Sequence, residues 1–104
     1  MKVEWTDNAR RMAAEVLRYT YLNFGKHQAD KLKTLFSEVA VQLGKMPRRG
    51  FLEPVFAEMD GEYRSFLIFK NLKIVYQIVD EEYAYILAVW NTRRNPEELS
   101  RHLK

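Results

Sequence analysis

The chain has 104 residues and 47% hydrophobic content, which is typical of one globular domain, so we expect residues 1–104 to form a single domain. The absence of cysteine excludes disulfides, thiolate metal sites and cysteine nucleophiles, and it favours the reducing cytoplasm. Seventeen Lys and Arg against fourteen Asp and Glu give a net charge of +3, which permits nucleic-acid contact without requiring it. No stretch approaches the ~20 apolar residues of a membrane span, so we expect a soluble protein with no membrane partner.

The first elements predicted are a short strand over residues 2–5 and a helix from about Asn8 to Phe24. Thr6 or Asp7 can cap this helix through a side-chain oxygen, and Gly25 suits the residue after its end. The predicted apolar face consists of Ala9, Met12, Ala13, Val16 and Thr20, widened by Tyr19 and Leu22.

A second helix follows at once and shows a clearer pattern. Its apolar residues recur every three or four positions: Ala29, Leu32, Phe36, Val39 and Leu43. Gly44 ends the helix, and Pro47 prevents it from resuming. Because only a few residues around Gly25 join the two helices, we expect a helical hairpin whose apolar stripes face the second part of the chain.

The period changes from 3.6 to 2 after a loop over about residues 45–54. Residues 63–69, 72–79 and 83–90 read as three strands separated by short polar breaks, so we expect an antiparallel meander. The last strand is apolar on both faces and is predicted to be central.

Pro96 then opens a short amphipathic tail. The predicted order is β-α-α-β-β-β-α, an α+β fold in which an N-terminal strand and a helical hairpin pack on a twisted antiparallel sheet.

Several local strings, in this order, resemble those of the RelE/ParE superfamily of type II toxin–antitoxin toxins over about residues 2–100. The strings are Phe24-Gly25, the segment Leu43…Pro47…Gly50, Tyr63-Arg64, Ile74-Val75-Tyr76, and the run from Val89 to Pro96 that contains Thr92-Arg93-Arg94-Asn95. The resemblance implies the fold just described. It also implies one of two activities, because the members share a scaffold and differ in target.

The RelE-like branch cuts mRNA in the ribosomal A site with a set of basic residues and often a terminal Tyr or His. Arg64 and Lys73 match two basic positions of that set, whereas Phe66, Thr92 and Glu98 stand where a Lys, an Arg and a Tyr would be expected. Each missing group commonly contributes ~10²–10³ in rate, so RelE-type cleavage is disfavoured. The resemblance therefore points to the ParE-like branch, which is associated with poisoning DNA gyrase.

Four cations are candidates for contacting a target or a phosphate: Arg64, Lys73, Arg93 and Arg94. Alternatively, Arg64 is a strand residue paired with Glu62 or Glu82. Arg93 and Arg94, after the last strand, are alternatively solvated loop charges. Arg64, Lys73 and His102 are weak catalytic candidates, the last because some relatives carry a catalytic His near the C-terminus.

No metal or cofactor is expected, because no His, Asp and Glu cluster has ligand spacing and no Gly-rich phosphate loop is present. The strand aromatics, including Tyr63, Tyr76 and Trp90, are read as cross-strand packing partners rather than as a base-stacking platform.

The leading hypothesis is a ParE-like toxin that inhibits an essential target such as DNA gyrase and is neutralised by a cognate antitoxin. The alternatives are a metal-independent, ribosome-dependent mRNA endoribonuclease and a non-toxic interaction module on the same scaffold. The free protein is expected to be a monomer or a homodimer.

Overall fold

The computed structural model describes residues 1–102, except the side chains of Ser100 and His102. In chain order the elements are β1 (Lys2–Trp5), α1 (Asp7–Phe24), α2 (Lys26–Lys45), β2 (Phe51–Leu52), a 3-10 turn (Pro54–Phe56), β3 (Glu62–Phe69), β4 (Leu72–Ile78), β5 (Tyr83–Asn91) and α3 (Pro96–His102). The predicted order is confirmed, and β2 and the 3-10 turn are additions within the segment predicted as a loop and just after it.

The helical hairpin forms as its capping residues predict. Thr6 Oγ1 accepts a hydrogen bond from the Ala9 amide at 3.1 Å, and Gly25 takes a φ of 90°, which allows the chain to turn between the helices. All five predicted apolar positions of α2 are buried, as are Ala9, Met12 and Ala13 of α1. The two remaining predicted positions of α1, Val16 and Thr20, are only half-buried. The prediction was wrong for Tyr19 and Leu22, which are exposed, because residues 18–27, apart from the half-buried Thr20, all lie exposed at the turn end of the hairpin.

The five strands lie in the order β1-β5-β4-β3-β2. The three long strands form the predicted antiparallel meander, but β1 pairs with β5 in parallel, so the sheet is not purely antiparallel. The central strand is β4 rather than β5, because β1 covers the outer edge of β5 and β2 adds to the far edge of β3. β5 is nevertheless an interior strand, which agrees with its apolar residues on both faces.

Strand register decides which side chains share a face. Arg64 lies opposite Tyr76 and Phe66 opposite Ile74, so these four residues point to one side of the sheet, called here the helix face. Phe66 lines a cleft against α2 on this side. The hairpin therefore covers the helix face, as predicted.

The opposite side, called here the second face, is also covered in part. The register places Ser65, Lys73 and Trp90 on it. Phe56 of the 3-10 turn packs on the Tyr63 ring at 4.8 Å, and α3 in turn contacts this turn. The segment over residues 53–59 together with α3 forms the cover of the second face.

Candidate functional site

Arg64 is held between a carboxylate and a backbone carbonyl on the helix face. Its Nε lies 2.6 Å from Glu62 Oε2, and its Nη1 donates to the Gly50 carbonyl at 2.8 Å. Glu62 also receives Arg48, at 3.0 Å. Burial alone would raise the pKa of Glu62, but the hydrogen bonds from Arg64 and Arg48 outweigh it and hold that pKa below its usual value.

The loop that Arg64 contacts is anchored by a buried tyrosine. The Tyr76 hydroxyl donates to the Pro47 carbonyl at 2.7 Å and accepts from the Gly50 amide at 3.1 Å. Burial raises the pKa of Tyr76, which keeps its phenol protonated. A Cβ at Gly50 would lie 2.8 Å from both the Ser65 carbonyl oxygen and the Tyr76 hydroxyl, so glycine is required here for close approach.

Lys73 is paired with a buried carboxylate on the second face. Its Nζ lies 2.7 Å from Glu53 Oε2, and Ser65 Oγ donates to the same oxygen at 2.6 Å. Glu53 is only 3% exposed. Burial alone would raise its pKa, yet the hydrogen bonds from Lys73 and Ser65 lower it below the usual value, so the carboxylate stays ionised.

The structure does not bring together Arg64 and Lys73, the two residues that match basic positions of the RelE pattern. Arg64 points to the helix face and Lys73 to the second face, and each has its own carboxylate. A phosphate bound beside one of them would be separated from the other by the sheet. As they are placed here, the two cations cannot act on the same phosphate.

The arginines after β5 lie beside α3. The Arg94 guanidinium stacks 4.3 Å above the Trp90 ring and pairs with Glu98 at 3.0 Å. Arg93 is exposed, and its Nε and Nη2 donate to the side-chain oxygen of Asn71 at 3.1 and 3.2 Å when the Asn71 amide is oriented to accept them. The side chain of His102 lies outside the described residues.

The site includes three residues of the predicted loop that were not singled out from the sequence. Arg48 pairs with Glu62, Glu53 is the carboxylate that neutralises Lys73, and Arg49 lies with its guanidinium 4.5 Å above the Phe66 ring. All three stand in a segment predicted to be irregular, so no periodic signal marked them. The ring of Phe66 also meets Tyr76 edge-on at 5.9 Å, so the position that would hold a Lys in RelE-like proteins is part of an aromatic cluster.

Among the side chains that the structure describes, which do not include that of His102, no group of three or more His, Cys, Asp or Glu could hold a metal ion. None of the helices over residues 1–102 is long and apolar enough to cross a membrane. Tyr76 and Trp90 are fully buried, as packing residues would be.

A helical hairpin packed on one face of a small mixed sheet is the α+β architecture that the resemblance to RelE/ParE toxins implied. The chain belongs to the ParE toxin family of type II toxin–antitoxin systems, whose family model it matches over residues 3–96. This confirms the resemblance drawn from the sequence, including its ParE-like branch. No curated protein matches the chain by sequence.

A solved structure described as the chromosomal ParDE TA system from P. aeruginosa is similar to this chain, with a TM-score of 0.69 at 17% identity. The match covers 88% of this chain and 95% of that chain. At this identity the similarity shows a shared fold.

Proposed function

We propose that the chain is a toxin that inhibits DNA gyrase by binding it, in the cytoplasm, and that a cognate antitoxin neutralises it. The observation that carries this proposal is the separation of Arg64 and Lys73 onto opposite faces, each paired with a carboxylate. Cleavage of RNA needs cations and an acid–base pair around one phosphate. The arrangement favours a binding protein over a nuclease.

The experiment that tests the proposal adds the same purified protein to two reactions, one for each candidate target. One reaction contains gyrase, ATP and relaxed plasmid, and the other contains translating ribosomes with a defined mRNA. We expect loss of supercoiling and intact mRNA. Cleaved mRNA with normal supercoiling would instead favour the endoribonuclease reading, and neither effect would favour a non-toxic interaction module.

Neutralisation requires an antitoxin that binds the toxin and covers part of its surface. Disordered segments that fold on binding need a partly apolar contact to offset their lost entropy. The cleft between α2 and β3 offers such a contact, because its lining includes the apolar side chains of Leu35, Phe66 and Ile68 together with the charged Arg49 and Glu38. An acidic antitoxin segment would meet an arginine there and the exposed Arg93 at the end of β5. Co-expression with the product of the neighbouring reading frame should restore growth and yield a stable complex.

A further inference from the structure

The turn end of the helical hairpin has four large apolar side chains in solvent. Within residues 18–33, called here the hairpin tip, Tyr19, Tyr21, Leu22 and Phe24 are between 57% and 68% exposed. Solvated helix surfaces rarely carry so many large apolar groups within six residues, and clustered exposed apolar groups mark interaction sites. The internal packing of the fold does not account for them.

The same tip carries the whole net charge of the chain. It contains four cations, Arg18, Lys26, Lys31 and Lys33, against the single carboxylate Asp30, which gives +3, equal to the net charge of all 104 residues. The positive and negative charges of the remaining residues therefore cancel. Asp30 pairs with Lys26 at 2.7 Å, so Arg18, Lys31 and Lys33 supply the excess positive charge.

The geometry of the tip selects the kind of partner. Residues 19, 21, 22 and 24 point in several directions around α1, since successive helix positions differ by about 100°. Tyr19 and Phe24 also pack edge-on against each other at 6.3 Å, which makes a rounded knob rather than a flat row of rings. A membrane surface or a stacked base would touch only part of it, whereas a concave pocket can enclose it.

We propose that the hairpin tip is the surface that binds the protein target, with the knob in an apolar pocket and the cations on an acidic rim. An apolar centre with a charged rim is the usual anatomy of a protein interface. Two tips do not fit against each other, because two surfaces of charge +3 would repel. This inference rests on the proposed function, in which the target is gyrase.

The test uses purified gyrase and relaxed plasmid with two matched double variants. Tyr21→Ala, Leu22→Ala truncates the knob, and Val41→Ala, Met46→Ala removes exposed apolar groups from the other end of the same hairpin. We expect the toxin concentration for half-inhibition to rise at least about tenfold in the first variant and less than about twofold in the control. Both should bind the antitoxin as wild type does and should unfold at the wild-type temperature.

A second pair of measurements tests the charge. Lys31→Ala, Lys33→Ala should weaken inhibition more at low salt than at high salt, because rim charges act mainly on association. Equal inhibition by wild type and the knob variant would overturn the inference while leaving the proposed function intact.

The remaining outcomes identify other occupants. Loss of antitoxin binding in the knob variant, with inhibition retained, would assign the tip to the antitoxin. Binding of wild type to single-stranded oligonucleotides or to anionic vesicles, lost in the knob variant, would assign it to nucleic acid or membrane. A wild-type protein that leaves supercoiling unchanged would contradict the proposed function itself, and the assignment of the tip to gyrase with it.

Discussion

The two faces of the sheet are covered by different means. On the helix face, α1 and α2 supply apolar side chains at regular helical spacing, and the contacts are spread along both helices. On the second face, the segment over residues 53–59 and the short α3 form the cover, and a buried ion pair ties that segment to β4. On the helix face, the substitution that lowers the free energy of unfolding most should therefore be the truncation of one apolar side chain. On the second face, it should be the removal of one charge.

The largest expected effect is on the helix face. Phe36 is buried and meets the Trp5 ring edge-on at 6.0 Å, so Phe36→Ala removes packing from the middle of the hairpin. We expect the free energy of unfolding to fall by about 3–5 kcal/mol, measured by urea denaturation. Val41→Ala, at an exposed position of the same helix, should change it by less than about 0.5 kcal/mol. A loss below about 1 kcal/mol in Phe36→Ala would contradict the packing described here.

The second prediction concerns the second face. Glu53→Gln keeps the shape of the side chain but leaves Lys73 without its countercharge, and we expect a loss of about 1–3 kcal/mol in urea denaturation. Asp30→Asn is the matched control, because it removes an exposed ion pair of the same 2.7 Å length, with an expected loss of at most about 0.5 kcal/mol. Equal losses in the two variants would show that burial of the Glu53 pair has no special effect.

The same pair makes a specific contribution to the pH dependence of stability. The pKa of Glu53 is lower in the folded protein than its usual value, so folding favours its ionised form. The resulting stabilisation is complete above the unfolded pKa of about 4.3 and disappears as pH falls through the folded pKa. Wild type should therefore lose more unfolding free energy than Glu53→Gln when both are titrated from pH 6 down to about pH 3. Parallel curves would contradict this assignment.

A smaller effect is expected where the helix face meets the loop before β2. Tyr76→Phe keeps the ring but leaves the Gly50 amide and the Pro47 carbonyl without the hydroxyl, which should cost about 1–1.5 kcal/mol. Tyr21→Phe removes a hydroxyl from an exposed ring and should cost almost nothing. Amide exchange at Gly50 should accelerate in the first variant and not in the second, and unchanged exchange in both would argue against the anchoring hydrogen bonds.

The sequence predicts the buried positions of α2 better than those of α1, for a physical reason. Burial along α2 follows from periodicity, since Leu32, Phe36 and Val39 share one side of any helix. Periodicity does not reveal where the partner layer ends, so the exposed Tyr19 and Leu22 were assigned to the apolar face of α1.

The candidate site depends on contacts between distant parts of the chain. Which face Arg64 and Lys73 occupy follows from the register of β3 and β4, and a shift of one residue would reverse it. Glu53 is twenty residues from Lys73 and lies in an irregular segment, so no local pattern links them. The parallel pairing of β1 with β5 is likewise a long-range contact without a local signal.

The smallest expected effect on stability concerns the exposed charges beside α3. The pair between Arg94 and Glu98 is solvated, and the Arg94 guanidinium also stacks on the Trp90 ring, so the double change Arg93→Ala, Arg94→Ala should cost about 1 kcal/mol from these two contacts together, in contrast to the buried Glu53 pair. Its effect should fall instead on association with an acidic antitoxin, because surface charges steer encounter more than they set final affinity. In stopped-flow mixing, the association rate of wild type should decrease as salt rises, and the double variant should be slower at low salt and less sensitive to salt. Arg10→Ala, Arg11→Ala removes the same charge from α1 and serves as the control. Equal salt dependence in wild type and the Arg93, Arg94 variant would refute an electrostatic role for that pair.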